Sequence, residues 1–230
     1  MRLEDIEFKH QRALMLTRDI VFLISTSEHS SSEDFSKAMA RAAITNAALF
    51  LECSSNSCIQ ALNLPSKLVD ELDKLPTLSK LDYYLFATTG THIDRGCRVV
   101  ELAADILRLR DYVVHPKPRG GTLRGTPGTY YVDFGTAKAL EIPLDTNEWN
   151  AKIARSIAVA AFAFAKMFFL EWSKKDKGQL TMILAGTEKA MIHRGARCWF
   201  EYHEDEIELI RSILPDALDI FDIRIYVPDA

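Results

Sequence analysis

Apolar positions along this chain recur mostly at helical spacing. Leu3, Ile6, Leu14, Ile20, Val21 and Ile24 predict a first helix over residues 3–27, broken by the polar run from Ser25 to Ser32. Hydroxyl and carboxylate side chains in such a run bond nearby backbone and favour caps over helix interiors. Glu33 and Asp34 then fall in a first turn, where negative charge opposes the positive helix end, so a second helix is expected over residues 33–62. Its Ile44, Ala47, Ala48, Leu51, Ser55, Cys58, Ile59 and Leu62 mark one face with small residues that permit close helix approach, and Asn63-Leu64-Pro65 ends it. Short helices are expected over 66–75 and 78–86. Past the loop Thr88-Thr89-Gly90-Thr91 and the turn Asp94-Arg95-Gly96, a strongly patterned helix carries Val99, Val100, Leu102, Ala103, Ile106, Leu107, Leu109, Val113 and Val114. Pro116 stops it, because proline disfavours helical backbone at the residue before it.

From Lys117 to Pro143 the texture changes. Gly120-Gly121, Thr126-Pro127-Gly128-Thr129 and the alternating Tyr130 to Phe134 predict a loop with a short hairpin. Residues 149–172 return to helix, apolar nearly all round and therefore central. A strand is expected over 180–184, helices over 187–214, and a last strand through Ile220, Ile223, Ile225 and Val227. The expected fold is mainly α: a helical bundle over residues 1–175 with a loop or hairpin insertion at about 117–145, and a small α/β addition over 176–230 packed on it.

Composition narrows the class. With 48% hydrophobic residues in 230, the chain can bury a core and is not mostly disordered. Ten Gly and eight Pro exclude collagen-like and turn-dense all-β chains. The longest apolar stretch, from Ile157 to Leu170, is 14 residues and is interrupted by Lys166, short of the roughly 20 that a membrane span needs. The charged start from Met1 to Glu7 lacks the pattern of a secretory leader. A cytoplasmic, soluble protein with no membrane partner is expected. Cys53, Cys58, Cys97 and Cys198 lack zinc-knuckle spacing and read as reduced thiols; His92, His193 and His203 share no ligand spacing either. No Walker loop, dinucleotide fingerprint or nucleophile elbow is present, so no metal or cofactor is expected. Phe162, Phe164, Phe168 and Phe169 read as core.

One stretch carries candidate chemistry: Arg110-Asp111-Tyr112-Val113-Val114-His115-Pro116-Lys117. On a regular helix Arg110 and His115 would stand about 140° apart. Pro116 moves His115 out of helical backbone, so its imidazole can swing towards the side from which Arg110 projects. Arg is permanently charged and forks onto phosphate oxygens, whereas His titrates near neutrality and moves protons. The same two cations also fit a plainer role, opposing the negative end of their helix. In the second helix, Glu52 and Asn56 are four apart and share a face amid apolar and small residues. They read either as partners for an arginine of a neighbouring helix, or as a surface pair with Asn56 bonding backbone.

This layout resembles the HEPN superfamily of small helical bundles. Its hallmark is Arg, a polar residue, a few more residues and then His near a helix end, here Arg110, Asp111 and His115. Leu49-Phe50-Leu51-Glu52-x3-Asn56-x5-Leu62, Leu75-Pro76-x3-Lys80-Leu81-Asp82 and Asp94-Arg95-Gly96 are similar to members of that group. The resemblance covers residues 35–118 and leaves the remainder to Ala230 unexplained. It implies a bundle that commonly dimerises, with two Arg/His motifs across one cleft, and a metal-independent endoribonuclease of toxin–antitoxin, defence or RNA-processing type, or else a non-catalytic relative binding RNA, nucleotide or a protein partner such as an antitoxin. Under the catalytic form His115 handles the proton of the ribose 2′-hydroxyl or of the leaving oxygen. Arg110 stabilises charge on the phosphate. Asp111 orients one of them, and Glu52 and Asn56 form a supporting shell. The expected product is a 2′,3′-cyclic phosphate. One branch carries Tyr two places after the His, a site for modification by a partner transferase; this chain has Lys117 there.

A formal charge of −4 and a pI near 5.9 speak against broad, indiscriminate nucleic-acid binding. Position changes that picture, because residues 95–124 alone are net +4. Lys117, Arg119 and Arg108 are the candidate RNA contacts, joined by Arg124 beside the Gly-containing loop. The acidic run from Glu201 to Glu208 reads as a solvated helix face, or as one meeting basic residues across a dimer.

Overall fold

A computed structural model describes residues 13–114, 120–126, 129–185 and 200–226. Helix α1 (Ala13–His29) lies along α2 (Glu33–Ala61). Ser32 caps α2 by accepting from the Phe35 amide at 3.4 Å, with Glu33 and Asp34 in its first turn as the charge pattern required. Its 29 residues make it about 44 Å long, enough for α1, α4, α5 and α6 all to pack against it. Ala40, Ala43, Ala47 and Ala48 are fully buried on it, which lets neighbouring backbones come close.

Helices α3 (Ser66–Leu72) and α4 (Thr77–Thr89) follow. α4 outruns its expected end at Phe86 by a turn, closing on Gly90, whose φ of 75° gives the left-handed cap that residues with a Cβ disfavour. Helix α5 (Arg98–Val114) runs to the last residue before His115. Residues 115–119, with His115, Pro116, Lys117 and Arg119, lie outside the described residues, as do Cys198, His193 and the residues before Ala13.

The expected hairpin is present: β1 (Thr122–Thr126) pairs antiparallel with β2 (Thr129–Asp133), with Leu123 opposite Val132. A smaller ladder, β3 (Thr136–Ala137) with β4 (Ile142–Pro143), leads to a buried Trp149 whose indole donates to the Pro143 carbonyl at 2.8 Å. Helix α6 (Ala151–Lys166) continues as a π-turn from Met167 to Trp172, marked by the Ser173 amide bonding the Phe168 carbonyl at 2.9 Å. This 22-residue segment is the one helix among the described residues long and apolar enough to cross a membrane, and half of its most apolar window is buried. Phe162, Phe164, Phe168 and Phe169 are all core, and Phe50 of α2 stacks on Phe162 at 4.3 Å.

Two expectations fail beyond this point. Residues 180–184 form the body of helix α7 (Lys177–Ala185), not a strand. A five-residue apolar run carries too little periodicity to decide between the two. Asp176 decides it, accepting the Gln179 amide at 3.0 Å while Gln179 reaches back to the Asp176 amide, a reciprocal helix-start arrangement. Residues 200–202 were expected inside a helix and instead form β5 (Phe200–Tyr202), parallel to β6 (Ile223–Ile225). Parallel strands need a crossover, supplied here by α8 (Glu204–Ile213) and the short α9 (Ala217–Ile220). The last expected strand is correspondingly shorter, since Ile220 is helical. Leu180, Leu184, Ile210, Ile213, Ala217 and Phe221 join the same hydrophobic cluster as the bundle, so one core runs through both halves. The fold is mainly α with three two-stranded ladders among the described residues.

Candidate functional site

The polar pair of α2 is divided between two neighbours. Glu52 meets Arg110 of α5, with carboxylate and guanidinium 2.8 Å apart. Asn56, one turn further along, accepts from Lys80 Nζ of α4 at 2.6 Å. Lys80 is buried, and its second partner, Asp73, stands at 3.9 Å. A buried ammonium must be paired, and these two contacts pair it. Glu52 and Asn56 therefore tie α5 and α4 to the same stretch of α2.

Arg110 lies in the C-terminal part of α5 on the side turned towards α2. Its guanidinium also donates to Asp111 at 3.0 Å. Its Nε is buried and has no partner among the described residues. The structure thus brings Arg110, Asp111 and Glu52 together, and assigns Asn56 to Lys80. Placement of His115, Lys117 and Arg119 falls outside the described residues.

Arg108 faces another way. Two positions separate it from Arg110, about 200° around a helix, and its guanidinium pairs instead with Asp105 at 2.6 Å. Asp105 is a buried acid that the hydrophobic pattern did not single out. Its other oxygen accepts the Ala139 amide at 2.7 Å and the Leu140 amide at 3.3 Å, fastening the β3–β4 turn to α5. An acid beside the apolar face of an amphipathic helix was the available signal, but nothing in sequence names amides 34 residues away as its partners.

The remaining motif residues close turns. Asp82 accepts the Ile93 amide at 2.7 Å and meets the His92 ring at 3.2 Å, while His92 stacks on Phe86. Asp94 accepts the Gly96 amide at 2.9 Å, turning the chain into α5. Arg95 donates to the Leu78 carbonyl at 3.3 Å. Cys58 is buried, and burial pushes its thiol well up, so it is a poor nucleophile. Burial likewise raises the Tyr84 hydroxyl. Among the described residues no group of three or more His, Cys, Asp or Glu could hold a metal ion. In the acidic run, Glu206 turns inward to Arg18 at 2.6 Å, whereas Glu201, Glu204, Asp205 and Glu208 are exposed. Comparison with protein-family models, with curated proteins and with solved structures finds no match to this chain.

Proposed function

We propose that this chain is a HEPN-type, metal-independent endoribonuclease in which Arg110 and His115 act on RNA. The observation that carries the reading is the placement of Arg110: in the C-terminal part of a helix, five residues before His115 in sequence, and held across the bundle by Glu52 at 2.8 Å. A guanidinium oriented from behind by a carboxylate is ready to stabilise developing phosphate charge without reorganising during the reaction. His115 takes the proton of a ribose 2′-hydroxyl, and that oxygen attacks the adjacent phosphorus. The 5′-oxygen leaves with a proton, and a 2′,3′-cyclic phosphate remains. A cytoplasmic homodimer with a composite cleft belongs to this reading, as does a protein partner such as an antitoxin. The exposed apolar side chains of the β1–β2 hairpin, Leu123, Tyr130 and Tyr131, are surface of the kind that a second copy covers.

A second reading is a non-catalytic module of the same type, binding RNA, nucleotide or protein. It is favoured by the double engagement of Arg110, since a phosphate must displace Asp111 or Glu52 to fork onto the guanidinium.

The two readings separate in one assay. Mixed RNAs are incubated with the protein in EDTA beside Arg110→Ala and His115→Ala variants of unchanged oligomeric state. Cleavage with cyclic-phosphate ends, lost in both variants, is the expected result; RNA retained uncut by all three proteins establishes the module and overturns the enzyme.

A further inference from the structure

On the side of α5 away from Arg110 lies a cleft of about 330 Å³, closed by the start of α4, the turn before α5 and the β3–β4 turn. Arg95, Arg98, Arg108 and Lys138 line it, against Glu101 and Asp105. Ionised side chains dominate the lining, and cations outnumber acids by two to one. Asp105 adds little free negative charge, because two backbone amides and Arg108 already take its oxygens.

Each arginine is also positioned by one or two anchors. Arg95 is held by the Leu78 carbonyl, Arg98 by the Ala139 carbonyl with Glu101 at 3.6 Å, and Arg108 by Asp105. A guanidinium has five N–H donors, so one or two anchors fix its direction and leave donors to spare. Lys138 is exposed and completes the ring from the opposite wall. Arg98 and Arg108 are ten residues apart, so the cations extend about 15 Å along the helix.

We propose that this cleft is a phosphate-binding site, distinct from the Arg110 end of α5, that takes the backbone phosphates of an RNA strand or the phosphate chain of a nucleotide. Forked guanidinium donors match phosphate oxygens, and the volume suits a nucleotide-sized group. The site does not depend on catalysis by Arg110 and His115. If it holds RNA, the strand approaches along the side of α5 that carries Arg108, opposite to Arg110.

The test measures binding of a fluorescein-labelled single-stranded RNA by anisotropy, and of ATP by calorimetry, at two salt concentrations. Lys138→Glu removes no contact that holds the fold, Arg95→Gln removes one surface anchor, and Lys67→Glu on α3 is the matched control of equal charge change. At least one ligand is expected to bind the unaltered protein. Lys138→Glu and Arg95→Gln should each weaken it by about tenfold and flatten its salt dependence, with Lys67→Glu within twofold. Loss confined to RNA identifies a strand; loss confined to ATP identifies a nucleotide. The proposal is overturned if neither ligand binds, or if the cleft variants weaken binding no more than Lys67→Glu. Binding that survives Arg110→Ala but not Lys138→Glu, with no cleavage by any protein, defeats the ribonuclease reading and leaves the cleft standing.

Discussion

Asp105 and Arg110 are polar side chains five positions apart on α5, and each is bonded to a distant part of the chain. For Asp105 the partners are amides of a turn, one of them, that of Ala139, fully enclosed. Removing the acceptor leaves that amide buried and unpaired, a loss of about 1–3 kcal/mol. Asp105→Ala should therefore lower the urea midpoint by that amount. Asp105→Asn keeps one acceptor oxygen and should recover part of the loss; equal midpoints for the two variants would show that the turn does not depend on this contact. Arg110 makes a different prediction because fork geometry, not charge alone, is its use. Under the ribonuclease reading Arg110→Lys should cut the cleavage rate by roughly 10²–10³, with a melting temperature close to the unaltered protein's.

Helix α2 is the element on which the bundle is built, and its face of small residues was legible from spacing alone. Phe50 breaks that face and fills the space towards α6 by stacking on Phe162. Phe50→Ala removes that filling and should cost about 3–5 kcal/mol. Ala47→Leu adds volume where none is free and should cost about 1–3 kcal/mol. Denaturant titration with unchanged m-values checks both. The elements that sequence reading misplaced are the short ones. Helix α7 has only nine residues, and its start signal lies in the polar pair Asp176 and Gln179 rather than in its apolar run. Strand β5 is three residues long, and its partner is 23 positions further along the chain. Local pattern cannot specify an element whose backbone bonds are all made at that range.

At the scale of the whole molecule, Lys166 joins the bundle to the C-terminal segment. Its ammonium lies 2.8 Å from Asp216 and 2.7 Å from Asp219. Those hydrogen bonds raise its pKa, and the Lys166 hydrogen bond holds the Asp219 carboxyl below its ordinary value of 3.8. A lowered carboxylate stabilises the fold above its unfolded pKa and loses that contribution as pH falls through the folded one. The raised lysine loses its contribution only at strongly alkaline pH. Lys166→Met should therefore cost about 0.5–1 kcal/mol near neutrality, the partly exposed geometry limiting the gain. That corresponds to a melting-temperature drop of about 1–4 °C. The gap between the two proteins should narrow as pH falls below 3.8 and the Asp219 carboxylate protonates; a gap that persists in acid would assign the effect to packing of the lysine stem.

The sequence by itself determined the helical class, the start of α2 and the hairpin after α5. These rest on interactions within a few positions of one another: periodicity, caps and turn chemistry. Only the tertiary structure decided which cation meets which acid. It gave Glu52 to Arg110, Asn56 to Lys80 and Arg108 to Asp105, and it gathered Arg95, Arg98, Arg108 and Lys138 around one cleft on the far side of α5. The net positive charge of residues 95–124 was readable as a sum, but its division between two sides of a helix was not. Arg108 and Arg110, two positions apart on α5, face opposite ways, and the segments packed on each side determine what they meet.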